Sequence, residues 1–213
     1  MTHRTFDAAG IDHLQTYRLL IGSIVPRPIA WVSTISKAGQ ANLAPFSFFT
    51  CVSHAPPMVS ISAGERRREQ KDTTRNILET QGYVIHTVVD GWEEKMNESS
   101  ANFPSGESEF EALGLETVPA DLVGAPRIAE APVAMECRFR TMLTNGEEWR
   151  THLLIGEIVR WHVREDLITE DKCIDPARLA PVGRLGGEAY CRTREIFKMK
   201  RAYPPPEKVH PNA

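Results

Sequence analysis

Apolar positions along this chain change spacing within its first third, from helical to alternating. Between Ile11 and Ile24, the residues Leu14, Tyr17, Leu20 and Ile21 recur at helical spacing. Gly22 interrupts the run and Pro26 and Pro28 stop it, so it is at best a short lead-in element. Ile29 to Ile35 is rich in β-branched and aromatic side chains and predicts a strand. Lys37-Ala38-Gly39-Gln40 turns the chain back through a second strand, Asn42 to Phe49. Pro56-Pro57 opens a third strand, in which Val59, Ile61 and Ala63 alternate with Met58, Ser60 and Ser62. One face is then apolar and the other carries hydroxyls.

A charged stretch follows from Glu65 to Lys71 and includes Arg66-Arg67-Arg68. Asp72 or Thr73 is placed to cap a helix running through Asn76, Ile77 and Leu78, and Gly82 ends it before a strand from Tyr83 to Val89. The polar region Gly91 to Leu122, with Asn102, Pro104, Ser105 and Gly106 in its middle, predicts short helices and loops laid over the outside. Val133 to Leu143 and Trp149 to Val163 read as two strands around Thr144-Asn145-Gly146-Glu147, and Asn-Gly is a strong hairpin signal. Gly183 and Gly186-Gly187 precede a last segment, and Tyr203 to Ala213 is a proline-rich tail predicted to be poorly ordered. Hairpins with one intervening helix, rather than βαβ units, predict a mainly β fold. It is an antiparallel, closed or nearly closed barrel with peripheral helices.

Composition narrows the function classes. A chain of 213 residues with 41% hydrophobic and 25% charged side chains fits one soluble domain with extensions and excludes wholesale disorder. The boundaries expected are 1–20 for an N-terminal extension, 21–199 for the domain and 200–213 for the tail. With 25 basic against 28 acidic residues, no global field draws the chain to nucleic acid or to an anionic membrane, so any anion must be held locally. The four cysteines contain no CxxC pair and the seven histidines no HExxH, which disfavours zinc and leaves no metal site predicted. Met1 to Gly10 lacks a basic segment followed by an apolar stretch, and no apolar run reaches membrane-spanning length. A cytoplasmic protein with free thiols is expected, in which Asn97-Glu98-Ser99 is an unused glycosylation match.

GxGxxG, Walker and GxSxG motifs are all absent, so neither the usual phosphate loops nor a nucleophile elbow is available. Four blocks stand out in the first half. They are Arg27-Pro28-Ile29-Ala30-Trp31-Val32-Ser33-Thr34, Asn42-Leu43-Ala44-Pro45-Phe46-Ser47-Phe48-Phe49, Pro56-Pro57-Met58-Val59-Ser60, and Lys71-Asp72-Thr73 with Asn76. Further blocks follow at Met96-Asn97, Glu109-Phe110, Pro126-Arg127-Ile128, His152 to Ile158, and Arg184-Leu185-Gly186-Gly187 with Tyr190. Together, over most of residues 20 to 195, they resemble the flavin reductase-like family, whose fold is the FMN-binding split β-barrel. The most similar members are of the flavoredoxin and short-chain NAD(P)H:flavin oxidoreductase type.

The resemblance implies a homodimer with FMN near the subunit interface and NAD(P)H as electron donor, passing hydride to flavin N5. It also implies reduced flavin that either feeds a separate oxygenase component or stays bound. Three functions stay open: an NAD(P)H-dependent flavin reductase; a tightly FMN-bound electron carrier or FMN-dependent oxidase or oxygenase of a small organic substrate; and a non-enzymatic flavin- or heme-binding module.

Candidate cofactor-binding positions follow. An FMN phosphate needs hydroxyls, a cation and backbone N–H groups, which Lys71 and Thr73 at a helix start supply together, with Asp72 capping and Asn76 one turn on. The bland alternative is an ordinary capped helix beside a solvated basic run, from which one of Arg66, Arg67 and Arg68 could reach a phosphate. Backbone groups of the loop around Ala44, Pro45, Phe46, Ser47, Phe48 and Phe49 suit the flavin ring edge, while the three phenylalanine rings suit a core or an interface. Ser33, Thr34 and Ser62 lie near strand ends, where their hydroxyls reach either the cofactor or neighbouring backbone. Tyr190 covers either the flavin or a partner subunit. His152, the one catalytic candidate, resembles a histidine on the nicotinamide side of several flavin reductases. Its alternative is a structural histidine hydrogen-bonded at a strand end.

Overall fold

The computed structural model describes residues 1–65, 68–103 and 107–200. Seven strands form one antiparallel sheet: β1 (Ala30–Ile35), β2 (Ala41–Phe46), β3 (Phe49–His54), β4 (Pro57–Gly64), β5 (Gly82–Thr87), β6 (Val133–Asn145) and β7 (Thr151–Val163), in the spatial order β2-β1-β5-β6-β7-β4-β3. The two edge strands, β2 and β3, are consecutive in the chain with only Ser47 and Phe48 between them. The sheet must therefore roll until its edges meet at that corner, where Ser62 N donates to the Phe48 carbonyl at 2.8 Å. The result is the expected antiparallel split barrel, mainly β with helices outside.

Alternation along each strand sorts side chains into an inner and an outer layer. Ala30 and Val32 of β1, Val59, Ile61 and Ala63 of β4, Tyr83 and Ile85 of β5, and Leu154 and Ile158 of β7 fill the barrel. Trp31 and Leu43 point outward and are covered by helices α3 (Glu93–Glu98) and α4 (Glu109–Ala112), through Met96 and Phe110. Central strands β1 and β5 are thus buried on both faces and read as continuous apolar runs rather than alternating ones. Outside the barrel lie α1 (His13–Ser23), capped by the Asp12 carboxylate on Gln15 N at 2.7 Å, and α2 (Asp72–Thr80). Arg27 is buried beside α1 and donates to the carbonyls of Ile21, Ile24 and Leu185 at 2.8, 2.9 and 3.0 Å, tying that helix to the barrel corner.

Several expectations are corrected here. The run Asn42 to Phe49 is not one strand: β2 ends at Phe46, and Phe49 begins β3, which the sequence reading passed over entirely. The strand expected from Tyr83 to Val89 stops at Thr87. Neither Asp72 nor Thr73 caps α2. Lys71 occupies the N-cap position without a side-chain cap, and Asp72, already helical, pairs with Arg75 instead. The expected tail, Tyr203 to Ala213, and Pro104, Ser105 and Gly106 lie outside the described residues. The Asn-Gly hairpin between β6 and β7 is present, with Gly146 at φ 82°. A Cβ there would lie 2.6 Å from the Trp149 carbonyl oxygen, so glycine is required.

Candidate functional site

Edge strand β2 and the N-terminal end of α2 form one side of an open cleft of about 1260 Å³. Ala41, Asn42, Ala44 and Pro45 contribute from β2, Gly64 and Glu65 from the end of β4, and Lys71, Thr73 and Asn76 from the start of α2. Ser36, Gly39 and Gln40 from the turn before β2 and Glu69 and Gln70 ahead of α2 add to this side, and the far side comes from two segments, 99–103 and 107–111. The first is fixed by Ser99, which is buried, accepts from Trp31 Nε1 at 2.8 Å and donates to the Met96 carbonyl at 2.7 Å. The second carries Glu109, whose carboxylate accepts from Leu43 N at 3.1 Å.

That last contact shapes what β2 can offer. Leu43 N is occupied by Glu109, and Pro45 has no N–H, so between these two residues the outer edge of β2 presents acceptors to the cleft rather than donors and is blunted against strand addition. Burial pushes the Glu109 carboxyl above its ordinary range, although its own N–H and that of Leu43 pull it down.

Donors concentrate at the start of α2. With no side-chain cap at Lys71, the first-turn N–H groups of this nine-residue helix have no intrahelical acceptor, and the helix dipole adds positive potential there. The Lys71 ammonium sits 5.3 Å over the Phe46 ring. Beneath it, Asn42 Nδ2 donates to Thr73 Oγ1 at 3.1 Å and Asn76 Nδ2 donates to Thr34 Oγ1 at 3.1 Å. These bonds fasten α2 to β1 and β2. Asn76 Oδ1 and the Ser33 and Thr74 hydroxyls are buried without a hydrogen-bond partner among the described residues. The cleft is not uniformly basic: among its described lining residues, six carboxylates outnumber Lys71 and Arg75.

The sequence-derived candidates therefore divide. Ala44, Pro45, Lys71, Asp72, Thr73 and Asn76 come together on the cleft. Ser33 and Thr34 are fully buried behind it, and Thr34 reaches it only through Asn76. Phe46 is a core side chain. Ser47, Phe48 and Phe49 lie at the barrel corner, where Arg27 Nε reaches Ser47 Oγ at 3.5 Å and its guanidinium lies 5.8 Å from the Phe48 ring. Ser62 faces Leu153 in the β4–β7 ladder. Tyr190 packs outside the barrel, with its hydroxyl on Asn97 Oδ1 at 3.2 Å and the Arg184 guanidinium over its ring. Arg66 and Arg67 lie outside the described residues, and Arg68 lines a small neighbouring pocket with Glu65, Glu148, Trp149 and Arg150.

His152 does not line the cleft. It is buried and shares the inward face of β7 with Leu154, Gly156 and Ile158. Its Nδ1 lies 2.9 Å from Thr144 Oγ1 and its Nε2 lies 3.1 Å from Glu65 Oε1. Sequence reasoning missed the cleft segments 99–103 and 107–111 except for Glu109, which was noted only within the Glu109-Phe110 block.

Two further buried groups stand apart from the cleft. His86 accepts from Ile128 N at Nε2 and donates to the Trp31 carbonyl from Nδ1, both at 3.0 Å. Burial lowers its pKa to about 4. Glu136, fully buried, accepts from the backbone N–H groups of Asp121 and Leu122 at 2.9 and 2.6 Å and meets His162 Nε2 at 2.6 Å. Burial alone would raise its carboxyl, but these donors outweigh burial and hold it below its ordinary range.

Comparison with known proteins gives consistent matches. A model of the flavin reductase like domain matches residues 21–177. An uncharacterised protein of Halalkalibacterium halodurans is 41% identical over 195 residues, covering 90% of this chain and 93% of that one. Among solved structures, nitrilotriacetate monooxygenase component B from Bacillus cereus is 34% identical with a TM-score of 0.89, covering 93% of this chain and all of its own. The Pseudomonas fluorescens 2-nitrobenzoate 2-nitroreductase NbaA is 33% identical with a TM-score of 0.84, covering 93% and 96%.

Proposed function

Because the chain belongs to the flavin reductase-like family, we propose that it is an FMN-binding, NAD(P)H-dependent flavin reductase. The observation that carries this reading is the uncapped start of α2 opening onto the cleft beside Lys71. Backbone N–H groups, a helix dipole and an ammonium at one point are the donor set that a phosphate monoester requires. The unpartnered Asn76 Oδ1 fits a hydroxylated chain, and the acceptor-rich edge of β2 fits the N–H of a flavin pyrimidine ring. A flavin held there by the start of α2, Asn76 and β2 would supply hydride-transfer chemistry with a nicotinamide donor. The protein's share is positioning in a slot walled by Ala44 and Pro45, which explains the absence of a triad or metal motif from the sequence.

A second reading keeps FMN tightly bound and turns it on a small organic substrate or a protein acceptor. The cleft, at about 1260 Å³, leaves room for a second small molecule beside a flavin, and NbaA is named for acting on a nitroaromatic acid. In the first reading, the similarity to a monooxygenase component B supports delivery of reduced flavin to a separate oxygenase. A visible spectrum of the purified protein separates the two. Stoichiometric bound FMN selects the second reading, and a colourless protein that oxidises NADH or NADPH only on flavin addition selects the first.

For the site, Lys71→Ala is expected to weaken FMN binding about tenfold, the effect of one lost charge-assisted contact. Flavin fluorescence quenching reads the affinity, and an unchanged value removes the phosphate assignment. We also infer a cytoplasmic homodimer. Leu14, Tyr17 and Leu20 of α1 are exposed beside Ile24 and Val25, and Phe48 and Val52 are exposed at the corner and edge of the sheet. Leu20→Glu is expected to yield monomers by sedimentation at concentrations where the parent chain is dimeric. An unaltered dimer would exclude α1 from the interface.

A further inference from the structure

We propose that His152 and Glu65 form a positioning pair that sets the phosphate end of the cleft, and that His152 does not act on the reacting atoms. This rests on the reading of the cleft as an FMN site.

The ladder between β4 and β7 ends with Ala63 opposite His152 and Gly64 opposite Thr151. Glu65 is the first residue past that ladder, and it is held twice by the start of β7. Its backbone N–H donates to the Arg150 carbonyl at 2.9 Å, and its side chain meets His152 Nε2 at 3.1 Å. The carboxylate requires the proton on Nε2, and Thr144 of β6 completes the imidazole's bonding at Nδ1. Both side chains of the pair are nearly inaccessible, at 4% and 8% exposure. A buried imidazole and carboxylate cost desolvation that a solvent-exposed pair would not, so the arrangement points to placement of a segment rather than to added stability.

The segment placed is the one that matters to an anion. Glu65 lines the cleft, and from it the chain runs to Lys71, the N-cap of α2. Six residues can span at most about 20 Å, so the exit direction of β4 limits where Lys71 can stand. An imidazole bonded at both nitrogens and screened by Glu65 offers no nitrogen to a nicotinamide, whereas its loss would release Glu65 at the edge of the cleft.

FMN and riboflavin differ only in the phosphate, which makes their ratio the readout. His152→Phe is expected to lower FMN affinity about tenfold or more while riboflavin affinity stays within about twofold. His152→Gln, whose amide can still donate to Glu65, is expected to restore FMN affinity. Should His152→Phe fail to fold, Glu65→Ala, outside the barrel interior, is expected to shift the FMN to riboflavin ratio the same way. Turnover number at saturating flavin and NADH is expected to fall by a smaller factor than FMN affinity. Equal weakening of both flavins, or no change in the ratio, overturns the proposal. So does a large fall in kcat at a constant ratio, which would return His152 to the nicotinamide side. A parent chain that binds neither flavin overturns the functional reading itself, a result distinguishable from these because it precedes any variant.

Discussion

Replacing Gly156 by alanine is expected to be among the most damaging single changes in the barrel. A Cβ at this position would overlap the Tyr83 hydroxyl and sit 2.8 and 3.0 Å from Cζ and Cε1 of the same ring. Tyr83 is completely buried in the inner cluster, so a rigid ring packed on all sides would have to move. Overpacking of this kind costs about 1–3 kcal/mol, and the rigidity of both partners puts this case at the upper end. Tyr83→Phe alone is expected to change stability by less than about 1 kcal/mol, because its buried hydroxyl has no hydrogen-bond partner among the described residues. In the Tyr83→Phe background, the cost of Gly156→Ala should fall by about 1–2 kcal/mol, since the oxygen is the atom most overlapped. Urea denaturation of the four proteins checks both statements, and additive effects would mean that the strand moves rather than the ring.

The same pair shows which parts of the fold the sequence reveals. Alternation of Val59, Ile61 and Ala63 identifies β4 and its inner face because both neighbours obey the period of two. Gly156 carries no such mark. Its reason lies on Tyr83, 73 positions away in the chain, and only folding brings the two together. Strand β3 escapes for a different reason. It is an edge strand exposed over most of its length, so it lacks an apolar rhythm, and no glycine or proline separates it from β2 across Ser47 and Phe48. Its existence follows from the topology, since the chain must pass directly from one edge of the sheet to the other.

The candidate site divides along similar lines. Lys71, Thr73 and Asn76 are legible because a helix start after a basic run is a local pattern, and all three reach the cleft. Ser33 and Thr34 match the same chemistry by type, but both point into protein. The hydroxyl of Thr34 accepts from Asn76 rather than facing the cleft. The acidic side of the cleft was hidden in a polar region that reads only as loop, because Glu109 declares its role through a backbone N–H on a distant strand. His152 stands out in the sequence by its resemblance to a family histidine, but its partner Glu65 lies 87 residues away and at the edge of a run that looks merely charged.

His86 leads to the second large expectation, a loss of stability in mild acid. Ile128 N–H can donate to Nε2 only if that nitrogen is bare, and the Trp31 carbonyl accepts from Nδ1, so one neutral tautomer satisfies both contacts. Burial holds the folded-state pKa at about 4, against an ordinary 6.5 in the unfolded chain. Between those values the unfolded chain takes up a proton that the folded chain refuses, so stability falls with pH. The contribution is complete above 6.5, declines through the window, and levels off below about 4 once the folded state also protonates. A difference of that size corresponds to about 3 kcal/mol for this one group.

Carboxylates titrate near the lower end of the window, so the parent curve alone does not isolate the histidine. His86→Gln does, because it removes one titration and leaves the others. The variant is expected to be about 2–4 kcal/mol less stable at neutral pH, with an imperfect replacement for two buried hydrogen bonds. It should show a shallower decline, so that the two curves draw together as pH approaches 4. Guanidinium denaturation at steps from pH 7.5 to 4 reads this directly. Curves that stay parallel would mean that the imidazole accepts its proton inside the folded barrel, and that the Ile128 and Trp31 contacts do not hold it neutral.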